Sequence, residues 1–296
     1  MGEGSLMERK PISLVITDLD NTIYDWMTAF VPAFYAMVRV AAPLIGVSED
    51  ELLDDLRSVH QKHGDSEHPF ALLETRAVQE RMFGSTRTDL LKHLDPAFHE
   101  FNRVRKKNLH LYDGVLKTLS VISQTGVPII AYTDARVVNC LFRLKKLGIR
   151  QLFSQLFAPS HFANELRVDE FEEGFVQLLP PTDRKPNPQT LIDICARYSV
   201  RPSEALYIGD SIVRDVYMAK TAGLQSAWAK FGATYEASLW PLLVRVTHWT
   251  NADVEREEKL REQSRGTQAD TVLNCFSELL EFYEFVPRFS ALARPV

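Results

Sequence analysis

Ile12-Ser13-Leu14-Val15-Ile16 is a short, β-branched apolar run, and the polar Asp18-Leu19-Asp20-Asn21-Thr22 follows it at once. A run of that length and composition reads as one buried strand opening into a loop. From Met27 to Leu109 the pattern changes. Apolar residues recur at three- and four-residue intervals, as in Leu52, Leu53, Leu56 and Val59, then Phe70, Leu72, Leu73, Ala77 and Val78. That spacing predicts four or five helices and no strand. A different rhythm begins at Tyr112. It predicts a helix over 115–123, a strand over 127–132, and a helix carrying Val137, Val138, Leu141, Leu144 and Leu147 that ends at Gly148. A helix over 188–198, a strand over 205–208, a helix over 213–221 with Gly223 past its end, and a strand over 225–230 follow.

Strands alternating with helices imply a parallel sheet covered on both faces, here a doubly wound, Rossmann-like α/β core. The helical block is too large for a loop, so it is expected to be an inserted domain. The expected division is an α/β core over 1–23 and 112–296 with a helical cap over 24–111. Two stretches are less regular. Residues 162–182, with Asp169-Glu170-Phe171-Glu172-Glu173, read as a surface excursion or hairpin. Residues 235–268 carry Trp240 and Trp249 and then a charge-dense segment; they read as an extra helix packed on the core, with an oligomer interface as the alternative. A final helix is predicted over 271–285.

Among 296 residues, 45% are apolar and 25% charged, the balance of an ordinary globular chain. Lys and Arg number 34 against 39 Asp and Glu, a net charge of −5, and no long basic run occurs. That argues against a nucleic-acid groove. It also means that an anionic substrate needs a local cation. Cys140, Cys195 and Cys275 are odd in number and show no CxxC spacing, as expected of reduced thiols. The apolar stretch Met27–Val38 is interrupted by Pro32 and closed by Arg39, short of the ~20 residues that span a bilayer. No secretory or myristoylation pattern opens the chain, and Met1–Leu6 reads as a possible leader ahead of Met7. A cytoplasmic protein without membrane or nucleic-acid partners, monomer or homodimer, is expected.

Four polar segments end or follow predicted strands, where open α/β sheets bind ligands. Asp18 and Asp20 are two residues apart and start on one face. Two such carboxylates suit a nucleophile or metal ligand beside a general acid/base, or simply a solvated turn. Thr133, after Ile129-Ile130-Ala131-Tyr132, can hold a phosphate oxygen or cap the next helix. Lys185, in Arg184-Lys185-Pro186-Asn187-Pro188, can offset phosphoryl charge or stand exposed before a proline-opened helix. Asp210, in Gly209-Asp210-Ser211, can complete a hard-oxygen site for Mg²⁺, and Asp215 stands five residues on. Gly64-Asp65-Ser66 repeats the tripeptide, but no strand precedes it.

The order strand-D-L-D-N-T, strand-T, K-P-N-P, strand-G-D-S-x-x-x-D resembles the haloacid dehalogenase-like hydrolases, in their phosphatase branch with an inserted helical cap. The resemblance spans roughly residues 11–232 and the last helix. It implies Asp18 as nucleophile through an aspartyl-phosphate and Asp20 as general acid and base. It implies Mg²⁺ on the carboxylates of Asp18 and Asp210 and the backbone carbonyl of Asp20. Thr133 and Lys185 would hold phosphoryl oxygens, with Asn21, Ser211 and Asp215 in support. The expected substrate is a small phosphorylated metabolite. A phosphomutase, a dehalogenase (disfavoured by Asp20) and a catalytically silent binding protein are the alternatives; a response-regulator receiver is excluded by the helical insert. The site is expected under the cap, with Tyr24, Trp26 and residues 30–35 as candidate substrate selectors. His60, His63 and His68 have spacings compatible with a metal clip, but read more simply as solvated or packing histidines.

Overall fold

A computed structural model of the chain describes residues 9–68, 70–160, 174–180, 182–234 and 236–288. The first apolar run is divided at Ser13. β1 (Lys10–Ile12) pairs in parallel with β9 (Tyr283–Phe285), while β2 (Leu14–Thr17) enters the main sheet. Ser13 marks the break by donating its hydroxyl to the Val286 carbonyl, 2.9 Å away.

The main sheet has seven strands in the order β5 (Val176–Leu179), β4 (Gln155–Pro159), β3 (Ile129–Tyr132), β2, β6 (Ala205–Gly209), β7 (Gln225–Ala229) and β8 (Thr271–Leu273). All neighbouring pairs are parallel. α5 (Val115–Gln124), α6 (Val137–Lys146), α7 (Pro188–Arg197) and α8 (Tyr217–Thr221) alternate with these strands. β2, β3 and β6 are buried along their whole length, so their sequences read as unbroken apolar runs. The chain runs outward from β2 through β3, β4 and β5, then returns to β6 on the other side of β2. Strand order therefore reverses around β2, and the crevice at the carboxyl ends of β2 and β6 is where such sheets bind ligands. The expected doubly wound α/β fold is the observed one.

The structure divides into two units. One holds residues 1–25, 110–234 and 263–296, and the other holds 26–109 and 235–262. The helical unit contains α1 (Trp26–Ile45), α2 (Glu49–His63), α3 (Arg76–Arg81), α4 (Arg87–Asn108), α9 (Leu239–Val246) and most of α10 (Asn251–Gln263). Its core joins Phe30, Phe34, Val38 and Ala41 of α1 to Leu52 and Leu56 of α2, Leu94 of α4, and Leu239 and Val246 of α9. Residues 235–262 thus belong with the helical unit, whereas the sequence pattern assigned them to the α/β core. An amphipathic stripe says that a helix packs, not on what.

Four local expectations differ. α1 continues through Pro32 and Pro43 for 20 residues, long and apolar enough by composition to cross a membrane. Its apolar face instead packs in the helical core, and that burial offsets the hydrogen bond each proline removes. Val176–Leu179, taken as part of a hairpin, is a parallel edge strand on β4; residues 161–173 of that excursion lie outside the described residues, as does the suggested leader. The helix over 213–221 is a π-helical turn (Ile212–Val216) leading into α8. The last predicted helix resolves into β8, a 3₁₀ turn, the short α11 (Leu279–Phe282) and β9. Thr271, Val272 and Leu273 had the β-branched composition of an edge strand, but the apolar spacing beyond them imitated a helix.

Candidate active site

β2 delivers Asp18 to the carboxyl edge of the sheet, and β6 delivers Asp210 beside it, because Thr17 and Ile208 are register partners. The Asp18 backbone N–H donates to the Ile208 carbonyl at 2.8 Å, which continues the ladder to the nucleophile candidate. Asp215 returns to the same place on the π-helical turn. Its carboxylate accepts from the Ser211 N–H at 3.0 Å and the Tyr207 hydroxyl at 2.9 Å. Gly209 makes that return possible: a Cβ there would lie 2.4 Å from Asp215 Cγ.

Lys185 reaches the cluster from the loop before α7. Its Nζ lies 2.5 Å from Asp18 Oδ1 and 3.0 Å from Asp215 Oδ1, with all three side chains buried. The Tyr132 and Tyr207 rings flank the ammonium, with centroids 5.3 and 5.5 Å away. Asn187 caps α7 by accepting from the Gln189 N–H at 3.1 Å, and Pro188 begins the helix. Asp134, which the sequence did not single out, holds the Lys185 N–H at 3.2 Å. Trp228 donates its indole N–H to the Asp210 carbonyl at 2.8 Å.

Three carboxylates around one ammonium leave excess negative charge. Burial, reinforced by the charges of Asp215 and Asp20 and opposed by Lys185, holds the Asp18 carboxyl at about 7. Burial, with Asp215 and Asp18, pushes Asp210 well above the carboxylate range. Burial opposes the charge on Lys185, but Asp18 and Asp215 outweigh it and keep the ammonium firmly protonated. Oxygens of Asp18, Asp210 and Asp215 lie within 4.8 Å of one another, an all-oxygen set of the kind a hard divalent cation takes. At an effective dielectric near 20, two unit charges about 4 Å apart repel by roughly 4 kcal/mol, so such a cation removes a large repulsion.

Asp20 has a different partner. Arg143 of α6, a buried residue that the sequence did not single out, donates to its two carboxylate oxygens at 3.0 and 3.4 Å. Tyr24, also buried, lies with its ring 5.7 Å from the Arg143 guanidinium carbon and its backbone bridged to Asp20. Tyr24 therefore packs behind Asp20, while Trp26 stacks on Phe30 at 5.1 Å within the helical unit. Asn21 adopts a left-handed φ of 57° and donates its N–H to the Tyr24 carbonyl at 2.9 Å, turning the chain after Asp20. Thr133 follows β3, next to β2, and its hydroxyl oxygen accepts from the Ala135 N–H at 3.1 Å. Ser211 accepts from the Arg214 N–H at 3.2 Å. Asp18, Lys185, Asp210 and Asp215 thus converge, Asp20 joins them through its neighbour Arg143, and Thr133, Asn21 and Ser211 shape the adjoining turns.

The acid cluster makes metal-free stability fall with pH. The Asp18 carboxyl moves from its usual 3.8 to about 7 on folding, so the folded chain keeps a proton that the unfolded chain loses. The stability this proton contributes is present below about pH 4 and disappears as pH rises to about 7. A divalent cation competes with that proton. Thermal melting with chelator and with Mg²⁺ is expected to give a larger Mg²⁺-induced rise in Tm at pH 8 than at pH 5.5. Equal rises at both pH values would show that the acids do not hold the ion.

A family model described as haloacid dehalogenase-like hydrolase matches residues 12–223. A glyceraldehyde 3-phosphate phosphatase of Methanopyrus kandleri is 28% identical over 72% of this chain and 82% of its own. A phosphoglycolate phosphatase of Vibrio vulnificus is 26% identical over 77% of this chain and 86% of its own. Among solved structures, a 2-haloacid dehalogenase from Pseudomonas syringae superposes with a TM-score of 0.56 at 20% identity, covering 92% of this chain and 97% of that one, a likeness of fold.

Proposed function

The chain belongs to the haloacid dehalogenase-like hydrolases, and from that premise we propose that it is a Mg²⁺-dependent phosphatase of small phosphorylated metabolites, acting through an aspartyl-phosphate. The observation that carries this reading is the buried Asp18–Lys185–Asp215 group with Asp210 beside it at the carboxyl edge of the sheet. Curated relatives along most of the chain are named as phosphatases of small phosphate esters, which supports the substrate class.

An Asp18 carboxylate oxygen attacks phosphorus, and the bond from phosphorus to the ester oxygen breaks. Asp20 gives its proton to the departing alkoxide, which is otherwise a poor leaving group; such transfers are worth on the order of 10²–10⁴ in rate. Asp20, now a carboxylate, takes a proton from water as that water attacks the phosphoryl group. Inorganic phosphate leaves and the Asp18 carboxylate is restored. Lys185 and Thr133 bind the non-bridging oxygens, and Asp215 holds Lys185 in place. Asp18 and Asp210, with the Asp20 carbonyl, would hold Mg²⁺, whose charge offsets the repulsion between carboxylate and phosphate dianion.

Arg143 is the positioning residue for Asp20. Arg143→Ala is expected to lower kcat by about 10–100-fold with little change in KM, since misplacing a catalytic group by about 1 Å costs that order. Arg143→Lys should restore part of the loss. Equal damage from both variants, or a change confined to KM, would show that Arg143 is not aiming Asp20.

The deciding experiment is phosphate release from a panel of phosphorylated metabolites, with Mg²⁺ present and then chelated. Turnover that depends on Mg²⁺ is the expected result. No release from any ester would favour a binding protein on the same fold.

A further inference from the structure

The helical unit contains a second cluster of ligand-bearing side chains, remote in sequence and chemistry from the acids. His63 is the last residue of α2, where Gly64 turns the chain in the left-handed region at φ 62°. That turn brings His68 back onto His63. Their imidazole rings stack with centroids 3.6 Å apart and planes within 5°. Both Nε2 atoms face one carboxylate: His63 Nε2 lies 2.7 Å from Glu74 Oε2, and His68 Nε2 lies 2.7 Å from Glu74 Oε1. Glu74 ends the 3₁₀ turn Ala71–Glu74. Burial opposes ionisation of Glu74, but hydrogen bonds from His63, Lys62 and His68 outweigh it and hold the carboxyl low, at about 2.

Neighbouring histidines do other work. His60 is buried with Nδ1 2.7 Å from the Val246 carbonyl, and burial lowers its pKa to about 4. His248 Nδ1 lies 2.9 Å from the Ser66 hydroxyl.

We propose that His63, His68 and Glu74 form a transition-metal site, suited to Zn²⁺, that clasps the end of α2 to the turn following it. The ligand atoms of the three residues lie within 4.8 Å of one another. A tetrahedral Zn²⁺ with nitrogen ligands at about 2.1 Å places its ligand atoms about 3.4 Å apart, close to the spacing of the stacked rings. Two imidazoles and one carboxylate are a known zinc donor set that leaves a fourth position to water. Imidazole nitrogen favours Zn²⁺ over Mg²⁺, so this site and the all-oxygen cluster select different ions. Lys62 Nζ, 2.9 Å from Glu74 Oε2, occupies the space a cation would share, but its side chain is mostly exposed and swings readily into water. The inference does not rest on the proposed phosphatase activity.

The full chain, freed of metal by chelation and then saturated with Mg²⁺, is titrated with Zn²⁺ by calorimetry. One site per chain and a rise in Tm on Zn²⁺ addition are expected. His68→Ala and Glu74→Gln should each weaken binding by at least about 100-fold, because even residues that only support a metal ligand are worth 10–100-fold. Asp210→Asn should retain the wild-type Zn²⁺ affinity. Long-range ¹H–¹⁵N spectra of the wild-type chain give a check that needs no variant: two imidazoles should shift on Zn²⁺ addition. Absence of Zn²⁺ binding, unshifted imidazole nitrogens, binding that survives the double variant His63→Ala/His68→Ala, or binding lost in Asp210→Asn would each overturn the proposal.

Discussion

Asp18→Asn is expected to reduce phosphate release by at least about 10³-fold, because an amide oxygen is a far weaker nucleophile than a carboxylate and cannot form the acyl phosphate. The amide still fills the same space and can accept from Lys185, so the fold should persist. A second readout separates lost chemistry from lost structure. The wild-type carboxyl, held at about 7, ties metal-free stability to pH between about 4 and 7, whereas the amide does not titrate. The decline in Tm over that range should therefore be shallower in the variant. Turnover within tenfold of wild type would remove Asp18 as nucleophile. An inactive variant whose Tm follows the same pH curve as wild type would show that Asp18 is not the strained acid.

Asp20→Asn is expected to slow hydrolysis of an alkyl phosphate by about 10²–10⁴-fold, the range for loss of a positioned acid/base. The leaving group supplies the diagnostic. An aryl phosphate departs without a proton, so its first step should be much less affected, while the water that clears the intermediate still lacks its base. Rapid mixing should then show a burst of phenol release followed by slow turnover, with phosphate trapped on the chain. Equal slowing of alkyl and aryl esters with no burst would place Asp20 outside proton transfer. Arg143→Ala should resemble a mild form of this variant and differ sharply from Asp18→Asn, since it contacts only the Asp20 carboxylate among the acids of the site.

Particular residues show how much was legible in the chain itself. Ile12–Ile16 and Ala205–Ile208 announce buried parallel strands, because a strand covered on both faces has no polar positions to alternate with. The acids placed just beyond them then had to meet at one sheet edge. Asp18, Asp210, Asp215 and Lys185 were therefore recognisable before any coordinates, since short fixed offsets from strands set their positions. Arg143 was not. It lies on α6 among basic residues typical of a helix C-terminal half, and only the packing of that helix aims it at Asp20, 123 positions earlier. Glu74 was hidden for a similar reason: the spacing of His63 and His68 suggested a clip, but the acid completing it is brought in by a 3₁₀ turn.

The sequence by itself determined the alternation of elements, the helical insertion and the acids at the strand ends. These depend on local periodicity and on covalent distance along the chain. Tertiary structure alone decided that residues 235–262 join the helical unit, that 271–285 contributes an edge strand in place of a helix, and that Arg143 and Glu74 face their partners. Those outcomes depend on which apolar faces bury each other. Burial free energy is nearly indifferent to the identity of the covering partner, so a one-dimensional pattern carries the need for a partner without naming it.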